Sequence, residues 1–182
     1  RRVSIRPGKP VHRSKHKHNQ NLSIPDKMSL SDRQKVLVNE TWKCVQDAGT
    51  TETGVVMFVK LFTDNPHLIP LFSFADKETA EQLKDSPRLA KHAGGVLKIV
   101  GVAVNALNDP SSLEPTLKAL GGRHYNYKIK PEFFGPVGQA LIYALGQCAG
   151  AAFTDEAKEA WVIVFGFVTK IMTEGFHVQE SK

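Results

Sequence analysis

Residues 86–125, SPRLAKHAGGVLKIVGVAVNALNDPSSLEPTLKALGGRHY, decide how the chain is interpreted. Ser86-Pro87 is typical of a helix start, with a capping serine and a proline in the first turn, and Asp109-Pro110 ends that segment. His92 shares a helical face with four apolar residues: Leu89, Val96, Ile99 and Val100. In the next segment leucines and a histidine recur at intervals of three and four: Leu113, Leu117, Leu120 and His124. Both patterns direct an imidazole toward the core.

Two inward-facing histidines on consecutive helices allow two interpretations. Each can be a core residue with its own buried hydrogen-bond partner, which is the simpler reading for either one alone. One metal centre between the helices would satisfy both imidazoles. Histidine is a common axial ligand of haem iron, whereas zinc would need a third or fourth ligand, and no Cys or His lies at a suitable spacing. The pair therefore favours haem over zinc.

The remaining histidines carry no such pattern. His67 and His177 lie at segment ends, and the sequence predicts no role for either. Three more lie in the first 18 residues, where solvated side chains are the expected state: His12, His16 and His18.

From Ser29 onward, proline and glycine divide the chain into helix-sized segments with no strand pattern. The sequence therefore predicts an all-α domain of seven to eight helices. Two of its helix starts are predicted as capping boxes, Ser31 with Gln34 and Ser111 with Glu114, and Thr154 is predicted to cap the last helix. The predicted segments are 31–47, 51–65, a short turn at 66–72, a polar connection to 85, 86–107, 111–125, 131–150 and 154–175.

The net charge of +6 comes from the first residues of the chain. Residues 1–18 hold seven of the 24 Lys and Arg residues and no acid, which leaves 17 basic against 18 acidic residues elsewhere. We therefore expect a flexible basic extension over 1–28, a folded domain over 29–177 and a short tail over 178–182. This distribution argues against a nucleic-acid-binding domain, although the extension can meet a signalling or redox partner or an anionic surface.

The sequence also gives expectations about compartment and processing. The absence of methionine before Met28 indicates a processed or trimmed chain. Cys44 and Cys148 form neither a disulfide framework nor a zinc pattern, and no signal peptide is recognisable, so a reducing cytoplasmic setting is expected. The longest apolar run, Trp161 to Val168, is too short to cross a bilayer, so no transmembrane segment is predicted. Ser4, in Arg1-Arg2-Val3-Ser4, resembles a basic-residue-directed kinase site, a match that is common by chance.

Several local motifs resemble the globin family, and within it the neuroglobin branch. These are GVVMFVKLFTDNPHLIPLF (54–72), DSPRLAKHAGGV (85–96), LKALGGRHYNYKI (117–129) and VGQALIYALGQCAGAAFTDEAKEAW (137–161). The resemblance spans roughly Ser29 to Phe176 and implies a globin fold around one b-type haem. It implies that His124 is the proximal and His92 the distal iron ligand.

The resemblance also implies roles for five pocket residues and a structural role for Trp42. Phe72 matches a corner phenylalanine that packs flat on the porphyrin, and Phe58 and Val96 match distal-pocket residues. Leu120 and Ile129 would line the proximal side. From the sequence alone, Phe58, Val96 and Leu120 could equally be ordinary core residues.

This sequence departs from the family pattern at two places. Gly95 stands where relatives often carry a basic residue facing the haem propionates, so Lys91 or Lys98 would have to compensate. The connection from Phe72 to Lys84 has no cysteine, so a disulfide switch there is excluded. Cys148 matches an isolated family cysteine and is expected to pack as a small hydrophobic residue.

The resemblance implies a bis-histidyl haem that reversibly binds O2, CO and NO for storage, transport or scavenging. Two other classes of function stay open: redox work, including electron transfer, nitric oxide dioxygenation or nitrite reduction, and haem-based sensing through the basic extension. No catalytic residue and no primary enzymatic activity are predicted. We expect a monomer or a weak dimer.

Overall fold

The computed structural model describes residues 28–75 and 78–182, and it is helical. The α-helices are α1 (Asp32–Ala48), α2 (Thr50–Asp64), α3 (Ala80–Leu83), α4 (Pro87–Asn105), α5 (Glu114–Asn126), α6 (Phe134–Ala149) and α7 (Asp155–Glu180). Short 3-10 helices precede or connect them at Pro66–Leu71, Pro110–Leu113, Pro131–Phe133 and Gly150–Ala152. The described residues contain no strand, as predicted. The basic extension, with Ser4 and the histidines at 12, 16 and 18, lies outside the described residues.

Three of the predicted helix starts are present as hydrogen-bonded caps. Ser31 accepts from the backbone N–H of Gln34 at 3.1 Å, and the Gln34 side chain accepts from the Ser31 N–H at 3.0 Å, which completes the capping box of α1. Ser86 and Thr154 cap α4 and α7 in the same manner through their hydroxyl oxygens. These caps satisfy N–H groups that have no partner inside the helix.

The predicted capping box of Ser111 with Glu114 is wrong. Ser111 lies inside the 3-10 helix that Pro110 begins, and its hydroxyl donates to the side chain of Asp109 at 2.6 Å. α5 therefore starts at Glu114 with Leu113 in the capping position, and no side chain caps it. Two prolines, at 110 and 115, explain the difference, because each favours the first turn of a new helix and together they separate the turn from α5.

Two other boundaries differ from the prediction. The expected polar connection before residue 85 contains α3, a single turn capped by a Thr79–Gln82 box with bonds of 2.8 and 3.3 Å. The last helix continues past Gly175 to Glu180, because Gly175 keeps a helical backbone and is buried against α5. Gly175 is therefore a glycine that permits close packing inside a helix, not one that ends a helix.

The long helices share one hydrophobic core, in which α7 packs mainly on α5 and α1 while α2 packs on α4 and α6. Trp42 of α1 and Trp161 of α7 pack with ring centroids 6.3 Å apart, so the first-helix tryptophan is structural. By length and composition α7 is the one described helix that could span a membrane, with a window of mean hydropathy 1.2. A core helix passes the same test, and ten residues of α7 are buried within the fold.

Candidate haem site

His124 lies in the last turn of α5, and its ring is fixed by the backbone of its own helix. Nδ1 is 2.9 Å from the carbonyl oxygen of Leu120, one turn earlier. A carbonyl oxygen can only accept, so Nδ1 carries the proton. In the neutral ring Nε2 therefore keeps its lone pair, which is the arrangement that metal-binding histidines commonly adopt.

The backbone after His124 folds back onto the same residue. The N–H groups of Tyr127 and Ile129 donate to the carbonyl oxygen of His124 at 3.1 and 3.0 Å, and the N–H of Lys128 donates to Tyr125 at 2.9 Å. With Lys128 at φ 61°, these bonds form a Schellman motif. The helix end thereby places Ile129 close to His124 in space.

His92 lies in the second turn of α4, and three phenylalanine rings surround it. The ring centroid of Phe58 is 5.0 Å away, and those of Phe72 and Phe74 are each 5.5 Å away. Phe58 and Phe72 meet the imidazole edge to face, the geometry that aromatic rings prefer. The His92 imidazole is therefore a polar group packed among three apolar rings.

Both imidazoles are partly buried and favour the neutral form. Burial lowers the pKa of His92, and a charge on His124 would lower it further. Burial also lowers the pKa of His124, opposed by its hydrogen bond to Leu120 and assisted by the charge of Arg123. Neutral imidazole is the form that coordinates a metal.

Most of the predicted pocket residues share one property: they are apolar and only partly buried. Phe72, Val96, Leu120 and Ile129 all pack on the edge of the core without being enclosed by it. Phe58 differs, because it is 2% exposed and lies behind the His92 ring. Partly buried apolar side chains of this kind suit a flat apolar ligand, and the two neutral imidazoles suit a metal.

Two aromatic residues near the histidines were missed from the sequence. Phe74 contacts both Phe72 and His92, and Phe134 meets His124 edge to face at 5.7 Å. Phe74 lies in irregular backbone, where no periodicity assigns a direction to a side chain. Phe134 opens α6 at a distance in sequence from His124, so helical spacing gave no signal.

The expected partners for haem propionates remain predictions. Gly95 is exposed, and a methyl group built on it would meet open space. Lys91 and Lys98 are exposed on the same helix.

Cys148 packs against the core, in line with a small hydrophobic residue. Burial raises the pKa of its thiol, although a hydrogen bond with Thr53 opposes this, so the protonated, less reactive form is favoured. Cys44 and Cys148 are both free thiols.

The comparison with known proteins identifies the family. The globin family profile matches residues 55–172, which include both histidines and all five predicted pocket residues. This chain belongs to the globin family. It is 30% identical to the neuroglobin of Danio rerio over 148 residues, which cover 81% of this globin and 92% of the relative. The neuroglobin of Chaenocephalus aceratus is equally similar, with the same coverage.

Solved structures confirm the globin fold. The neuroglobin of the acoel Symsagittifera roscoffensis superposes with a TM-score of 0.72 at 26% identity, over 81% of this globin and 99% of that chain. A hexacoordinated haem protein from an anhydrobiotic tardigrade superposes with a TM-score of 0.75 at 23% identity, over 82% and 97%. The second likeness concerns the fold alone.

Proposed function

We propose that this globin holds a b-type haem between α4 and α5, with His124 as the proximal ligand and His92 as a distal ligand that also reaches the iron. The observation that carries the proposal is the bond from His124 Nδ1 to the Leu120 carbonyl, because it leaves Nε2 free on a partly buried ring. The neutral His92 ring supports the second ligand.

When bound, the haem supplies an iron that takes diatomic gases and changes between ferric and ferrous states. The chain supplies everything else. Leu120 orients the proximal ring, while the apolar side chains of Phe72, Val96 and Ile129 exclude water from the site. Phe58 offers no hydroxyl, so His92 is the side chain that can hydrogen-bond a gas or withhold the site from it.

Reversible binding of O2, CO and NO is the proposed activity, with His92 as its gate. If the His92 ring leaves the site in only a fraction of molecules, the apparent affinity for a gas falls by that fraction. The proposal also includes the domain boundaries at 29 and 177, a monomer or weak dimer, and a cytoplasmic setting. The α7 helix crosses the second boundary and ends at Glu180.

Electron transfer or other redox chemistry is a second candidate function, favoured by the similar surroundings of the His92 and His124 rings. Both rings are partly buried and neutral, so the same kind of ligand would hold both oxidation states with little rearrangement. Rates of O2 dissociation and autoxidation separate the two functions, because rapid autoxidation disqualifies an oxygen carrier. Sensing through the basic extension concerns residues outside the structure and is tested by removing 1–27.

The experiment is an absorption spectrum of the purified protein, ferric and dithionite-reduced, after incubation with hemin. We expect a low-spin spectrum in both states for the natural sequence. His92→Leu should keep haem and become high-spin and five-coordinate when reduced, whereas His124→Leu should lose haem. The exposed His67→Leu is the matched control and should resemble the natural sequence. A colourless protein, or full haem retention in His124→Leu, overturns the proposal.

A further inference from the structure

Helices α5 and α7 approach so closely that only glycine fits at two facing positions. A methyl group built on Gly121 would overlap the carbonyl oxygen of Met172, and one built on Gly175 would overlap the carbonyl oxygen of Lys118. Each helix thus presents a glycine to the backbone of the other. We call these four residues the glycine crossing. Backbone carbonyls cannot swing aside as a flexible side chain can, so added bulk must separate the helices.

Two further contacts join the same pair of helices, one at the glycine crossing and one beyond it. Lys118 pairs with Glu174 at 3.3 Å, and with Glu114 of its own helix at 3.6 Å. The rings of Tyr125 and Phe176 meet edge to face with centroids 5.2 Å apart. α5 is therefore held against α7 over two turns that end at His124.

From this geometry we infer that Gly121 and Gly175 are positioning residues for the His124 imidazole. The inference rests on the proposed function. Gly121 lies one turn before His124, and the adjacent Leu120 supplies the carbonyl oxygen that orients the ring. Real Cβ atoms essentially never come within 3.0 Å of a non-bonded heavy atom of another segment, so a methyl group at Gly121 must move α5 away from α7. A displacement of about 1 Å in a supporting contact is enough to loosen a metal-binding side chain.

The test compares glycine variants in a His92→Leu background, where His124 is the axial ligand that remains. Gly121→Ala and Gly175→Ala disturb the glycine crossing. Gly122→Ala is the neighbouring control, because its methyl group would lie in ordinary contact at 3.6 Å. Gly101→Ala is the crowding control, because its methyl group would meet the Trp42 ring at 2.7 Å, away from α5.

The first readout is the iron–histidine stretching band of the ferrous protein in resonance Raman spectra. The second is the rate of haem transfer to an excess of an acceptor apoprotein. In Gly121→Ala and Gly175→Ala we expect a shifted band and haem loss faster by about tenfold or more. Gly122→Ala should match the parent in both readouts. Gly101→Ala should lower the unfolding midpoint and leave the band unchanged, which separates positioning from general destabilisation.

An unshifted band in both crossing variants overturns the inference, as does an equal shift in Gly101→Ala. Where neither crossing variant folds, Phe176→Leu carries the test, because it removes the ring pair with Tyr125 without adding bulk. It should shift the band in the same experiment, and an unchanged band there also overturns the inference. A His92→Leu parent that binds no haem would instead contradict the proposed function.

Discussion

At the scale of single residues, the chemistry of the site follows from where two imidazoles are placed. His124 is tied by Nδ1 to Leu120, so its tautomer is set before any ligand binds. Among the described residues His92 makes no such bond, and phenylalanine rings restrict its position without selecting a tautomer. This asymmetry suits one permanent ligand and one that can leave.

The lowered pKa values of both histidines predict how the haem-free protein responds to acid. An unfolded histidine takes up its proton near pH 6.5, whereas the folded rings resist doing so. Their contribution to stability is therefore fully present above pH 6.5 and is lost as the pH falls toward the lowered folded values. We expect the urea midpoint of the haem-free protein to fall between pH 7.5 and pH 5.5.

The control for this pH dependence is the replacement of both rings. A His92→Gln, His124→Gln double variant should show a flatter dependence, while replacement of the exposed His67 by Gln serves as the matched control and should keep the dependence of the natural sequence. Equal slopes in the double variant and the natural protein would show that other groups are responsible.

Lys128 predicts a stabilising substitution at the end of α5. Its φ of 61° lies in the left-handed region, where a side chain is strained and glycine is not. Lys128→Gly should raise the free energy of unfolding by about 1 kcal/mol, or the melting temperature by about 2–4 °C. Lys130→Gly is the matched control, because Lys130 has a φ of −78° and should gain nothing. Destabilisation by Lys128→Gly in calorimetry would contradict the assigned helix end.

The sequence predicts the histidines better than it predicts what surrounds them. Intervals of three and four place His92 and His124 on apolar faces, because helical periodicity follows directly from spacing. The hydrogen bond to Leu120 involves a backbone carbonyl, which no side-chain pattern reveals. Phe74 and Phe134 reach the histidines through tertiary packing, so local spacing carries no information about them.

At the scale of helices, the caps explain why some boundaries are predictable and others are not. A capping serine can be predicted from the sequence when its helix starts immediately after it, as at Ser31. The same signature fails at Ser111, where proline inserts a separate turn before α5. The predicted helix end at Gly175 is wrong for another reason. In a sequence, a glycine required for close packing cannot be told from a glycine that ends a helix.

This contrast predicts different effects for two similar substitutions. Ser31→Ala removes the hydroxyl that accepts from Gln34 and should lower the free energy of unfolding by about 1 kcal/mol. Ser111→Ala removes only an exposed bond to Asp109 and should change it by less than about 0.5 kcal/mol. Urea unfolding of the two variants beside the natural protein measures both. If Ser111→Ala lowered the free energy of unfolding as much as Ser31→Ala, Ser111 would be acting as a helix cap, contrary to the structure.

At the scale of the whole molecule, burial is unevenly distributed among the helices. α7 has ten buried residues, whereas α5 has two, Leu117 and Gly121. The helix that carries His124, the proposed proximal ligand, is thus the long helix with the fewest buried residues, although it packs closely on α7. A ligand that binds only the folded state stabilises it by about 2.7 kcal/mol when its free concentration is 100 times Kd.

Haem removal should therefore loosen this globin locally before it unfolds as a whole. In hydrogen exchange of the haem-free protein we expect α5 to lose most protection relative to the haem-bound protein, since the missing ligand would cover its exposed apolar side. The α6 amides should change least, because α6 packs mainly on α1, α2 and α7. Gly122→Ala, measured with and without haem, is a matched control for α5. The added methyl group raises the helix propensity of α5 and does not enter the pocket. Uniform loss of protection across α5, α6 and α7 would mean that the haem supports the whole core equally, and it would contradict the weak burial of α5 as the cause.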